Sequence, residues 1–109
     1  MSDISVIIVN HNGGKILVEC VRAALRQAHQ VIVVDNASAD GSLSPLRDME
    51  FSDGTLTVLQ TGRNLGFAAA CNLGAQGTAD GELLFLNPDC VLDEGAVDRD
   101  GGILDYCRL

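Results

Sequence analysis

At 109 residues, 47% apolar and 20% charged, the chain can build one packed domain and is not a disordered polypeptide. Fifteen acids against seven bases give a net charge of −8 with no Lys/Arg cluster, which argues against nucleic acid as a partner. No apolar run approaches the roughly 18 to 20 residues of a spanning helix, no basic amphipathic stretch offers a membrane anchor, and Met1-Ser2-Asp3 lacks the positive start of a secretory signal.

The first apolar run, Ile4-Ser5-Val6-Ile7-Ile8-Val9, is nearly continuous, as in a strand covered on both faces of a parallel sheet. It ends in Asn10-His11-Asn12-Gly13-Gly14. Leu17, Cys20, Val21, Ala24, Leu25 and Ala28 then follow the spacing of a helix lying on a sheet, with Lys15, Glu19, Arg22 and Arg26 on its outer side. Val31-Ile32-Val33-Val34 predicts a second buried strand, followed by Asp35-Asn36-Ala37-Ser38-Ala39-Asp40-Gly41. A weaker helix is expected over Ser42–Met49, opened by Ser44 as cap and Pro45 in the first turn.

Thr55-Leu56-Thr57-Val58-Leu59 alternates polar and apolar residues and reads as an edge strand. Thr61-Gly62-Arg63-Asn64-Leu65-Gly66 leads from it into a helix of small residues over Phe67–Ala75. Leu83-Leu84-Phe85-Leu86 predicts the fourth strand, closed by Asn87-Pro88-Asp89. From Asp93 to Leu109 a last helix is weakly patterned, with Gly101-Gly102 inside it costing about 1 kcal/mol each relative to Ala. Cys20, Cys71, Cys90 and Cys107 form no Cys-x-x-Cys pair and read as buried free thiols of a reducing compartment, not as zinc ligands.

This alternation predicts an α/β domain with a mostly parallel sheet and right-handed crossovers. Ligands of such sheets bind beyond the carboxyl ends of the strands, and here all four strands end in polar or glycine residues on that one rim. Taken singly each segment is also good turn chemistry; together they mark one edge. Gly-x-Gly-x-x-Gly and Gly-x4-Gly-Lys-Ser/Thr are both absent, which disfavours a nicotinamide enzyme and a P-loop. A diphosphate bound without a glycine cradle in so acidic a chain needs a divalent cation on a carboxylate, and Asp89 is the best placed.

Three blocks, Val-Ile-Val-Val-Asp-Asn-Ala-Ser-Ala-Asp-Gly-Ser (31–42), Asn-Leu-Gly-Phe-Ala-Ala-Ala-Cys-Asn-Leu-Gly (64–74) and Leu-Leu-Phe-Leu-Asn-Pro-Asp (83–89), in that order, resemble the family 2 glycosyltransferases, closest to their rhamnosyltransferase-like branch. The resemblance implies the amino-terminal half of a GT-A fold, Rossmann-like with strand order 3-2-1-4, residues 1–109 making a single truncated nucleotide-sugar-binding domain. It implies that Asn10, His11 and Asp35 hold the base and ribose, His11 standing where the family often has an aromatic residue, with Asn36 and Asn87 also among the nucleotide-sugar-binding residues. Arg63, Asn64, Gly66, Phe67 and Asn72 would line the nucleotide-sugar pocket. The family's Asp-x-Asp motif falls on Asn87-Pro88-Asp89, so that Asn87 departs from the general pattern and Asp89 would bind Mg²⁺ or Mn²⁺.

The implied activity is inverting transfer from a UDP- or dTDP-sugar to an acceptor hydroxyl, with the chain incomplete as an enzyme on its own. No general base is assigned; Asp93, Glu94, Asp98, Asp100 and Asp105 match no base motif of the family. The alternative is a non-catalytic α/β module that forms a homo-oligomer through the open edge of the fourth strand. A cytoplasmic location is expected, at the membrane face in a full-length relative.

Overall fold

The computed structural model describes residues 4–53, 55–78 and 82–90. In chain order the elements are β1 (Ser5–Asn10), α1 (Ile16–Leu25), β2 (Gln30–Asp35), α2 (Ser44–Asp53), β3 (Leu56–Gln60), α3 (Phe67–Ala75) and β4 (Leu83–Leu86). All strand pairs are parallel, in the order β3-β2-β1-β4. This is the topology expected from the alternation and from the resemblance. The helix expected beyond Asp93 lies outside the described residues.

The continuous apolar runs follow from burial on both faces. On one face Val6, Ile8, Val31 and Val33 meet Leu17, Cys20, Val21 and Ala24 of α1 and Leu46 of α2. On the other, Ile7, Val9, Ile32 and Val34 meet Ala70 and Cys71 of α3. Each fully buried Ile or Val side chain contributes about 1.5–3 kcal/mol relative to exposure. Small residues let α3 lie close: a Cβ on Gly74 would stand 2.7 Å from Ile7 Cγ2 and 3.0 Å from Val34 Cγ2. No larger residue fits there without displacing the helix.

β4 is covered unequally. Its Leu84 and Leu86 join the α1 side of the core, while Leu83 and Phe85, on the α3 side, are 37% and 40% exposed. Register sets Phe85 beside Ile7 and Leu83 beside Ser5. β3 is the opposite edge, with Leu56 buried and Thr57 and Gln60 exposed.

α2 begins at Ser44 and runs to Asp53, later than the sequence suggests, because Ser42 is buried and hydrogen-bonded inside the preceding loop. α1 ends at Leu25 in a tightened turn, the N–H groups of Gln27 and Ala28 both reaching the Ala24 carbonyl. Cys20 and Cys71 are free and buried, as expected. Cys90 is disulfide-bonded, contrary to the reading of four free thiols, and Cys107 lies outside the described residues.

Candidate functional site

Parallel register brings the ends of β1 and β2 level, with Asn10 opposite Asp35. Both are buried. Asn10 Nδ2 shares its protons among Asp35 Oδ1 at 2.9 Å, Ser42 Oγ at 2.9 Å and Ser38 Oγ at 3.1 Å. Asp35 also accepts the Ser38 hydroxyl at 2.6 Å and the Ser38 N–H at 3.0 Å. Asn10 Oδ1 accepts the Gly13 N–H at 3.1 Å. Buried carboxylate and carboxamide are thus satisfied by protein groups, which is what their burial requires.

A second layer knits the loops after β1 and β2. Asp40 accepts the N–H groups of Gly14 and Ser42, and its hydrogen bonds, that to the Ser42 side chain foremost, hold its carboxyl below the ordinary 3.8. Asn12 donates its N–H to Ser38 Oγ and accepts from the Ala39 N–H, each at 2.8 Å. Asn12 and Ala37 take left-handed backbone conformations at φ 54° and 58° to make these bends.

Above this layer His11 and Asn36 meet. His11 Nδ1 lies 2.5 Å from the Asn36 carbonyl oxygen, and since a carbonyl only accepts, Nδ1 carries the proton. Asn36, itself buried, donates from Nδ2 to the Gly66 carbonyl at 3.1 Å and accepts the Leu65 N–H at 3.2 Å. It therefore ties the end of β2 to the loop that opens α3. Gly66, at φ 83°, is the N-cap residue, and no side chain caps the helix.

Asn87-Pro88-Asp89 closes β4 in a turn with Cys90 N–H on the Asn87 carbonyl at 3.0 Å. The Cys20 thiol reaches the same oxygen at 3.7 Å from beneath. Burial, and secondarily the Asp89 carboxylate, push that thiol up to about 12. Gly13 lies so near that a Cβ there would stand 3.1 Å from Pro88 Cβ. The β1 loop and the β4 turn are in close contact.

Between these walls is an open cleft of about 340 Å³. Val9, His11 and Asn36 line it from the ends of β1 and β2, Asn64, Gly66 and Phe67 from the start of α3, and Asn87 and Pro88 from β4. No carboxylate, lysine or arginine is among these residues. Phe67 presents half its surface. Of the residues singled out in the sequence, the structure gathers His11, Asn36, Asn64, Gly66, Phe67 and Asn87 here. Asn10 and Asp35 are buried and are not among the residues that line it. Arg63 and Asp89 are exposed on neighbouring loop positions and Asn72 on α3, none of them on the cleft wall. Val9 and Pro88 were not anticipated; Val9 is legible as the last residue of β1 on the α3 face.

Among the described residues no three His, Cys, Asp or Glu side chains group as a metal cage. Asp89 alone offers a carboxylate beside Asn87. Such a donor set suits a hard cation that arrives with phosphate oxygens and water and takes one carboxylate from the protein. No helix among the described residues is long and apolar enough to cross a membrane.

A parallel β3-β2-β1-β4 sheet with a polar cleft across its carboxyl ends defines a Rossmann-like ligand-binding domain. The profile of Glycosyl transferase family 2 matches residues 5–99, so the chain belongs to that family. It is 33% identical over 99 residues to Glycosyltransferase GlyG of Streptococcus pneumoniae, covering 87% of this chain and 33% of the relative. Among solved structures it is similar to S. aureus TarS 1-349 in complex with UDP-GlcNAc, with TM-score 0.72, 26% identity, and coverage of 85% of this chain and 28% of that one. It is also similar to the mannosyltransferase PcManGT of Pyrobaculum calidifontis in complex with GDP-Man and Mn²⁺, with TM-score 0.70, 26% identity, and coverage of 81% and 28%. The chain spans about a third of the length of the curated relatives it matches.

Proposed function

We propose that the chain, as one unit over residues 1–109, binds the nucleoside diphosphate of a UDP- or dTDP-sugar and supplies the donor half of an inverting glycosyl transfer to an acceptor hydroxyl. The observation that carries this reading is the cleft itself: His11, Asn36, Asn64, Phe67 and Asn87, which follow the four different strands in the chain, meet at one rim. Similarity to TarS with UDP-GlcNAc and to PcManGT with GDP-Man and Mn²⁺ supports it. Asn10 and Asp35 act from below by fixing the loops that bear His11 and Asn36. Arg63 and Asn72, both exposed, would contribute to the nucleotide-sugar pocket once the donor is bound.

Asp89, with Asn87 beside it, would hold Mg²⁺ or Mn²⁺, which when bound offsets the charge that grows on the departing diphosphate. Asn87 offers a neutral oxygen, so affinity for the metal alone is low. The candidate general bases Asp93, Glu94, Asp98, Asp100 and Asp105 lie outside the described residues and none is assigned. A cytoplasmic site of action, where nucleotide sugars are available, agrees with this reading. Titration calorimetry with UDP, with and without Mn²⁺, tests it: saturable binding strengthened by the metal is expected, and no heat in either arm overturns it.

A second reading is association through the edge beside β4, favoured by the exposure of Leu83 and Phe85 on one face of what is an edge strand among the described residues. Sedimentation at tens of micromolar shows a homo-oligomer under this reading, and a clean monomer removes it.

A further inference from the structure

Asn36 is buried, and its hydrogen bonds run in three directions. Its backbone N–H donates to the Asn10 carbonyl at 2.7 Å, continuing the β1–β2 ladder past its last pair. Its own carbonyl meets the His11 ring from the loop after β1. The side chain reaches the other way: Nδ2 donates to the Gly66 carbonyl at 3.1 Å, and Oδ1 accepts the Leu65 N–H at 3.2 Å. The carboxamide thus pairs with one acceptor and one donor of the segment that opens α3, much as a neighbouring strand would.

A carboxamide suits this place for a chemical reason. A carboxylate could still accept from Leu65 but would turn a negative oxygen towards the Gly66 carbonyl, and alanine would leave both backbone groups without their partner. The segments it joins are opposite walls of the cleft, with His11 on one and Gly66 and Phe67 on the other. The loop between them is also tied at its start, where the Thr61 N–H and hydroxyl both reach the Asp35 carbonyl at 3.0 Å. Further along, Ala70 and Cys71 anchor α3 on the sheet, with Gly74 in close approach. Between these two anchors, Asn36 holds the loop to the end of β2.

We propose that Asn36 is a positioning residue for the donor: its main chain and side chain together set the spacing between the His11 wall and the Gly66–Phe67 wall, so that affinity depends on a carboxamide turned to the protein and not to the ligand. This rests on the nucleotide-binding reading above and changes the part of Asn36 in it from contact to alignment. Because the packing of α3 on the sheet does not run through this side chain, its loss falls on binding before it falls on folding.

The test is titration calorimetry with UDP and Mn²⁺ on the whole chain, comparing the unmodified protein with Asn36→Ala and Asn36→Asp. At about pH 7.5 the dissociation constant should rise about tenfold in both variants with the stoichiometry still near one, the loss expected when a preorganised cleft loosens. A purely structural role would lower the competent fraction and leave the constant unchanged. In Asn36→Asp the deficit should shrink as the pH falls towards about 5, because a protonated carboxyl again offers an O–H to Gly66 and an oxygen to Leu65. His11 is present in every protein compared, so the ratio to the unmodified chain at each pH isolates the new carboxyl. Should Asn36→Ala fail to fold, the pH series in Asn36→Asp decides. Affinity within about twofold of the unmodified protein in Asn36→Ala, a lowered stoichiometry with an unchanged constant, or a deficit in Asn36→Asp that does not respond to pH overturns the role of Asn36 and leaves the cleft as a nucleotide site. Failure of UDP to bind the unmodified protein removes both readings together.

Discussion

Asn10 Nδ2 donates to Asp35 Oδ1 at 2.9 Å across the first two strands, with neither residue reaching solvent. Both are polar, both end a strand, and by position both could serve a ligand. Each is also held by partners within the protein. Every side-chain polar atom of the pair is engaged by Ser38, Ser42, Gly13 or the other member, so the pair acts as a bolt between the ends of β1 and β2.

Removing one half of that bolt should be costly. Asn10→Ala strips a donor from a buried carboxylate and from Ser42, and we expect a loss of about 2–3 kcal/mol. Urea unfolding followed by circular dichroism measures it. A loss below about 0.5 kcal/mol would mean that water replaces the carboxamide without penalty.

Acid should loosen the loops before it unfolds the sheet. The folded-state pKa of Asp40 is depressed, chiefly by the Ser42 hydrogen bonds, so its stabilising effect is complete above the ordinary 3.8 and fades as pH falls through the lowered value. Asp40→Asn should flatten the dependence of the urea midpoint on pH below 4. An unchanged slope in that variant would show that the interaction has no thermodynamic consequence.

Gly74→Ala should shift α3 outward, since its Cβ would overlap Ile7 and Val34. Overpacking of this kind costs about 1–3 kcal/mol. A lowered thermal midpoint accompanied by weaker nucleotide binding is expected, because Phe67 rides on the same helix. Ala at this site with an unaltered midpoint would contradict the close approach.

Metal should bind only with nucleotide. Asp89 is the sole carboxylate the turn offers, so Mn²⁺ titrated into the protein alone should show no tight site, and UDP should create one. Asp89→Asn should abolish the gain that Mn²⁺ gives to UDP affinity while leaving the metal-free affinity within about twofold. Tight Mn²⁺ binding without nucleotide would require ligands beyond Asp89.

Thiol chemistry offers an independent check of the core. Cys20, pushed up to about 12 by burial, and Cys71, raised for the same reason, should resist iodoacetamide at pH 8 until denaturant is added. Alkali should also weaken the fold as pH climbs from 9.0 towards 12, where an unfolded Cys20 ionises and the folded one does not. Rapid labelling of Cys20 in the native protein would show that α1 lifts from the sheet.

The parts of this structure visible in the sequence are those governed by period and run length. Val6 to Val9 and Val31 to Val34 read as strands because both faces are covered, and α3 falls where the small-residue block lies. Polar residues at strand ends were harder to sort. Asn10 and His11 are adjacent and alike in character, yet one is sealed and the other lines the cleft; only the fold-back of Ser38 and Ser42 decides which. That fold-back depends on Ala37 adopting a left-handed conformation, for which alanine gives no advance sign. Val9 passes for pure core until the loop beyond it turns away.

One consequence of the β3-β2-β1-β4 order concerns how the molecule is made. β1 leaves the ribosome before the other described strands, yet one of its two hydrogen-bonding neighbours, β4, is the last of the four to be synthesised. Until then the Ile7–Ile8 run has an unpaired side, and a nascent chain in that condition is exposed to aggregation. Under the proposed function, nucleotide capture at a cleft walled in part by Asn87 and Pro88 would report on a sheet into which β4 has docked, and a nucleotide added during refolding would favour that sheet over forms that lack β4.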